Sequence, residues 1–174
     1  MACIAKLAGP IEYDCDYGST GFVDALIINK SDIVSYSINP ANGSVSDLTL
    51  ASGAKAYKIT TVKRTLVVTT SFKQNEGAPN AYAHTVTLTH TGVLTAIGNA
   101  FSNGSFVVIA RPAKGTGPSV YGLYYGLSTT AVDSSSHENG RFFTITMSTP
   151  ENVIGEDELF IYEAAYDALY AEAV

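Results

Sequence analysis

Two segments of this chain alternate apolar and hydroxyl-bearing residues so regularly that they fit only one conformation. Between Tyr82 and Thr89, Val86 and Leu88 interleave with Thr85, Thr87 and Thr89. Between Arg141 and Ser148, Phe143, Ile145 and Met147 interleave with Thr144, Thr146 and Ser148. A period of two belongs to a β-strand that buries one face. The hydroxyl-lined faces are then half-wet or pair-forming sheet surfaces. A chain built on such strands must cover their apolar faces with more sheet.

Other strand signals surround these two. Phe22 to Ile28 and Asp32 to Ile38 are β-branched-rich runs separated by Asn29-Lys-Ser31. Asn42-Gly43 marks a tight turn, because that dipeptide tolerates positive φ. Ser46 to Leu50 and Lys55 to Thr60 read as a hairpin around Ser52-Gly53. Lys63 to Gln74 is the longest strand candidate, with Leu66, Val68, Thr70 and Phe72 sharing one face. Phe106 to Arg111 and a glycine-marked run, Tyr121 to Leu127, complete the set.

Helical spacing occurs in two places. Val93, Leu94, Ile97, Ala100 and Phe101 form one short stripe, with Thr91 placed to cap it. Leu159, Tyr162, Tyr166, Leu169 and Ala173 form another, although Leu159 to Tyr162 alone also suits a last strand. No internal repeat or linker divides the chain. The expected architecture is mainly β: a single-domain β-sandwich or barrel with one short flanking helix and a C-terminal helix. Its parts are an N-terminal arm over residues 1–20, a β core over 21–151 and a helix over 156–173.

Composition narrows the function. Charged residues make up only 15% of the chain, well below the roughly 25% of ordinary soluble domains. Much of the surface must therefore be Ser, Thr, Asn, Gly and Tyr, which suits subunit contacts. The net charge of -6 opposes a tight grip on nucleic acid, which needs clustered Lys and Arg. Acids crowd the last segment from Glu151 to Glu172, which has no Lys or Arg. No run approaches the roughly 18 apolar residues of a membrane span, and no secretory signal is read at the amino terminus. Cys3 and Cys15 read as free thiols or as a disulfide tying down the arm, and they lack the partners of a zinc site.

Motifs for chemistry are weak. Asp14-Cys-Asp16-Tyr-Gly18 fails the EF-hand pattern at its fifth, sixth and twelfth positions. His84 and His90 lie on one face of a strand about 20 Å apart, too far to share a metal, and read as exposed or interfacial. His137, in a serine-rich turn from Ser134 to Gly140, lacks a nucleophile elbow for the neighbouring serines. No catalytic, cofactor or metal residue is assigned. Tyr121, Tyr124 and Tyr125 form a candidate carbohydrate-stacking cluster, weakened if Tyr124 and Tyr125 point to opposite sides of a strand. Tyr162, Tyr166, Leu169 and Tyr170 are the candidate subunit-interface residues. Their stripe either docks on its own sheet or packs on a neighbouring copy.

From Ala83 to Glu151 the succession of strands and glycines resembles a group of phage virion proteins. The segments that carry the likeness are Ala83-His-Thr-Val-Thr-Leu-Thr, Gly104-Ser-Phe-Val-Val-Ile-Ala, Val120-Tyr-Gly-Leu-Tyr-Tyr-Gly-Leu and Gly140-Arg-Phe-Phe-Thr-Ile-Thr-Met-Ser-Thr-Pro-Glu. These are tail-tube-like structural proteins of phages and prophages of Bacteroidetes-type bacteria. The resemblance implies a β-sandwich or barrel with no catalytic residues, copies of which form rings. Stacked rings make a tube or connector that DNA traverses without tight binding. It also implies other virion proteins as partners, location in the virion, and assembly in the host cytoplasm. A capsid-decorating protein, or a carbohydrate- or receptor-binding β-sandwich, is the alternative.

Overall fold

The computed structural model describes residues 21–59, 65–74, 80–91, 101, 104–113, 117–137 and 140–174. The N-terminal arm, both cysteines, the acidic Asp14–Gly18 loop and, apart from Phe101, the short helix expected near Val93 lie outside them. Strands follow in the order β1 (Phe22–Asn29), β2 (Ile33–Ile38), β3 (Val45–Leu50), β4 (Tyr57–Ile59), β5 (Leu66–Lys73) and β6 (Ala81–Thr91). Then come β7 (Ser105–Pro112), β8 (Ser119–Tyr121), β9 (Leu127–His137), β10 (Gly140–Ser148) and β11 (Leu159–Phe160), before helix α1 (Glu163–Glu172). A 3-10 turn, Lys30–Asp32, separates β1 from β2.

One nine-stranded sheet carries β11-β8-β7-β9-β10-β6-β5, with β1 and β4 added beyond β7. β7 is its hinge. Its first residues pair with β9, Val108 to Ala110 pair with β8, and its other edge pairs with β1 along nearly its whole length. The sheet therefore folds into two halves, β4-β1-β7-β8-β11 and β9-β10-β6-β5, which face each other as a β-sandwich. Ala25, Ile27, Val108 and Ala110 from the first half meet Val86, Leu88, Ile145 and Met147 from the second.

The opposite face of β1 and β7 is covered as well. Leu26, Ile28, Val107 and Ile109 pack under Val45 and Leu48 of the β2-β3 hairpin, Ile161, and Tyr166 of α1. Burial on both faces explains why Ala25-Leu-Ile-Ile28 and Phe106-Val-Val-Ile-Ala110 are unbroken apolar runs, where β6 and β10 alternate.

Three expectations from the sequence are corrected. Ser46–Leu50 and Lys55–Thr60 do not pair with each other. β3 pairs with β2 across the Asn42-Gly43 turn, and β4 pairs with β1. That turn closes on two Asn side chains, with Ala41 N–H donating to Asn39 Oδ1 and Ser44 N–H to Asn42 Oδ1, while Gly43 takes φ +69°. The C-terminal helix begins at Glu163 and not at 156, because Leu159 and Phe160 pair with Val120 and Ser119. Finally, only the first part of β5's apolar face is covered: Leu66 is buried and Val68 half-buried, but Phe72 is 63% exposed.

Candidate functional site

Asp24 is the one charge within β1, and Arg111 the one charge within β7; the two lie opposite each other in register. Arg111 donates from Nε and Nη2 to Asp24 at 3.1 and 2.6 Å, and from Nη1 to Asp167 of α1 at 3.0 Å. Its guanidinium lies 4.8 Å over the ring of Tyr166, whose hydroxyl donates to Asp24 Oδ1. These contacts raise the Arg111 pKa, the Asp24 hydrogen bond first, and burial raises that of Tyr166. The result is a clasp that closes α1 onto the sandwich.

All four interface candidates from the sequence gather on or beside α1. Tyr166 is wholly buried, and Tyr170 stacks on it with centroids 5.8 Å apart and receives the Lys58 ammonium at 4.8 Å. The hydroxyl of Tyr162, just before the helix, accepts from Asn39 Nδ2 at 2.6 Å. Leu169 is half-buried on another face of the helix. Within this chain Tyr166 is docked on the sandwich, Leu169 and Tyr170 are half-buried, and Tyr162 is exposed. The clasp residues Asp24 and Arg111 were missed in the sequence, although a lone opposite charge in each of two apolar strands was the available signal.

His84 departs from the exposed position expected of it. It shares strand parity with Val86 and Leu88, so it points into the sandwich and is fully buried. Its Nδ1 lies 3.0 Å from Thr70 Oγ1, and its ring meets Tyr121 edge-on at 5.3 Å. Burial lowers its pKa, only partly offset by Glu158. The Tyr121 hydroxyl donates to Glu158 Oε1 at 3.0 Å, and burial raises its pKa. Nearby, Glu156 is buried with its Oε2 accepting from Tyr124 N–H at 2.8 Å, and desolvation raises its pKa. These polar groups link β5, β6, the turn after β8 and the approach to β11, with His84, Tyr121 and Glu156 buried and Thr70 and Glu158 at the exposed rim.

The serine-rich stretch before His137 is also corrected. Ser134 to His137 belong to β9 and pair with β10 from Phe143 back to Gly140, so they are strand residues and not a turn. Tyr121, Tyr124 and Tyr125 separate. Tyr121 is buried, whereas the other two sit outside any strand, on a turn between Gly122 and Gly126, both of positive φ, and are exposed. There they line a shallow cleft of about 310 Å³ with Asn80, Ile154 and Asp157.

β5 ends the sheet among the described residues. Thr89 N–H donates to Thr65 C=O at 2.7 Å, and the β5-β6 ladder continues from Leu66 opposite Leu88 to Lys73 opposite Ala81. Antiparallel alternation then turns the backbone groups of Val67, Thr69 and Ser71 toward β6. Those of Leu66, Val68, Thr70 and Phe72 point away from the sheet, and no strand among the described residues pairs with them. No side chain from Leu66 to Phe72 is charged, and Val67 is 50% exposed. Among the described residues, no three His, Cys, Asp or Glu side chains group so that they could hold a metal ion, and no helix is long and apolar enough to cross a membrane. Comparison with family models, curated proteins and solved structures finds no match to this chain.

Proposed function

We propose that this chain is a non-enzymatic structural subunit that assembles with copies of itself through its sheet edges. The observation that carries the reading is the open edge of β5. A long uncharged edge is a template for pairing with another strand, and proteins that stay solitary blunt such edges with charge, proline or a cover. From Leu66 to Phe72 β5 carries no charge or proline, and no strand among the described residues covers its outer edge. Joining this edge to an end strand of a neighbour extends the sheet from copy to copy, and a head-to-tail contact of that kind closes into a ring when the rotation permits.

The specific form proposed is a phage virion protein, a tail-tube or connector ring subunit forming a conduit for DNA. The sequence resemblance over Ala83 to Glu151 and the low charged fraction support it. The net charge of -6 suits a passage that DNA crosses without adhering, because like charge keeps phosphates off the wall.

Solution mass and negative-stain imaging test the proposal. The expected result is a closed oligomer that Val67→Lys combined with Thr69→Lys converts to monomer. Both side chains project from the exposed face, so the fold survives with stability changed by no more than about 1 kcal/mol for the two substitutions together. A wild-type chain that stays monomeric at high concentration overturns the proposal.

A second reading rests on Tyr124 and Tyr125, which line the shallow cleft together with Asn80 and Asp157. Aromatic faces beside hydrogen-bonding groups suit a saccharide, and tight binding to a glycan array, lost in Tyr124→Ala, would favour a binding module.

A further inference from the structure

Asn42-Gly43 is a reactive pair as well as a turn. In an Asn-Gly link no side chain hinders the glycine amide nitrogen, and it can attack the asparagine side-chain carbonyl. The bond from Gly43 N to Asn42 Cγ forms, the bond from Cγ to Nδ2 breaks, and ammonia leaves carrying the amide proton. Water then opens the cyclic imide at either carbonyl, giving an aspartyl or an isoaspartyl link. The sequence holds three such pairs, Asn42-Gly43, Asn103-Gly104 and Asn139-Gly140. Asn103 and Asn139 lie outside the described residues.

In the folded turn every group that this reaction needs is engaged. The nucleophile, Gly43 N–H, donates to Asn39 C=O at 2.8 Å. Asn42 Oδ1 accepts from Ser44 N–H at 3.1 Å, and Nδ2 donates to the Tyr162 hydroxyl at 3.4 Å. An amide proton held by a carbonyl is withheld from hydroxide until the structure opens locally. Loss of Nδ2 as ammonia also breaks the Tyr162 contact.

Tyr162 ties this turn to the helix. Its hydroxyl also accepts from Asn39 Nδ2 at 2.6 Å, and its N–H donates to Val45 C=O at 3.0 Å, just past the turn. It is tied in turn to α1, since Tyr166 N–H donates to Tyr162 C=O at 3.0 Å and the Tyr166 ring is wholly buried. Pro40 to Gly43 are exposed, so burial does little to keep the turn shut, and hydrogen bonds carry that role.

We propose that Asn42 is a self-modification site whose rate is set by the docking of α1. With the helix docked, Tyr162 holds the turn closed and unreactive. When the helix leaves, the turn opens and Asn42 converts to the aspartyl and isoaspartyl forms. The product lacks the Nδ2 donor, and in the isoaspartyl form the main chain is lengthened by the Asn42 Cβ, so the original contact with Tyr162 is not remade. The modification thus records chains whose helix has come away. It stands apart from the assembly reading.

Peptide mapping by mass spectrometry tests this on the full chain, incubated in mildly alkaline buffer. Each Asn-Gly pair is read separately, by the mass difference between an amide and a carboxyl group. Conversion at Asn42 should be slow in the folded chain and fast in the same chain unfolded in urea. Tyr162→Phe removes only the hydroxyl, and it should speed conversion at Asn42 about fivefold, the factor that about 1 kcal/mol supplies. Asn103 and Asn139 should keep their wild-type rates in that variant. Tyr166→Ala should move Asn42 further toward the urea rate. Equal rates at Asn42 in the folded and unfolded wild-type chain overturn the proposal, as does an unchanged rate in Tyr162→Phe. An equal rise at all three pairs in Tyr162→Phe means general loosening and overturns it too.

Discussion

Removing the Tyr166 ring tests how the C-terminal helix is held. The side chain is fully buried, has the Arg111 guanidinium 4.8 Å above its ring, and donates its hydroxyl to Asp24. Truncating a buried aromatic to alanine costs about 3–5 kcal/mol. For a chain of this size each kcal/mol lowers Tm by about 2–4 °C, so Tyr166→Ala should lower it by about 6–20 °C. Tyr166→Phe removes only the hydroxyl. Asp24 keeps its bonds from Arg111 Nε at 3.1 Å and Nη2 at 2.6 Å, so no buried acceptor is orphaned and the loss is about 1–2 kcal/mol, or about 2–8 °C. Thermal unfolding followed by circular dichroism should give the order alanine, phenylalanine, then an exposed control such as Glu172→Gln. A fall in Tm of less than about 2 °C for Tyr166→Ala would mean that the helix is not docked through this ring, and the exchange arrangement would regain its standing.

Three further outcomes are expected. Burial depresses the His84 pKa below its ordinary 6.5. The unfolded chain therefore binds the proton more readily, and the His84 contribution is complete above that value and lost as pH falls toward the lowered one; Tm plotted against pH should show this slope, and His84→Gln should flatten it. Glu156 behaves in the opposite sense, because burial raises its pKa in the fold: its contribution is present at low pH and lost as pH rises through the raised value, and Glu156→Gln should remove that decline from the same titration. Gly155→Ala sets a Cβ 2.5 Å from the Tyr82 carbonyl oxygen at φ +102°. It should cost at least about 2 kcal/mol, seen as a fall in Tm of at least about 4 °C; an unchanged Tm would show that the Ile154–Glu156 crossing is not packed against β6.

What the sequence revealed was periodicity, and what it hid was pairing. Phe143, Ile145 and Met147 are all buried, as their alternation requires. Ala25 to Ile28 and Phe106 to Ala110 were legible as strands, but that both of their faces are covered came only with the fold. Ser52-Gly53 was a sound turn signal, with Gly53 at φ +84°, yet it does not join a hairpin. The partner of β4 is β1, a long-range choice to which no local propensity speaks. The C-terminal stripe misled for a related reason: Leu159 keeps a strand period with Ile161 as well as a helical spacing with Tyr162, and pairing with β8 decided between them. His84 was legible, since its parity matches Val86 and Leu88, but a histidine is so often exposed that composition overrode geometry. Glu156 was not legible. Its burial depends on where the turn after β8 places the Tyr124 amide, which only the folded chain determines.

The two sides of this molecule are finished to different degrees, and that difference bears on how it works. At β1 and β7 the middle of each strand is closed: both faces are covered from Ala25 to Ile28 and from Phe106 to Ala110, and the lone charges of the two strands satisfy each other and the helix. At β5 the inner face starts under cover at Leu66 and runs out to the exposed pair of Phe72 and Tyr82, edge-on at 6.0 Å, while the outward backbone groups meet no strand among the described residues. Open edges destabilise nothing in isolation, because water satisfies them, but they make an uncharged sheet prone to unselective sticking. Selection among partners must then come from shape. The cross-strand pairs of β5 and β6 fix the register of that edge, and a head-to-tail contact needs a second, complementary patch on the neighbouring copy. If the β5 edge carries the contact, charge placed there by Val67→Lys and Thr69→Lys should abolish assembly outright, whereas a contact made elsewhere would leave oligomers of the wild-type size in that variant.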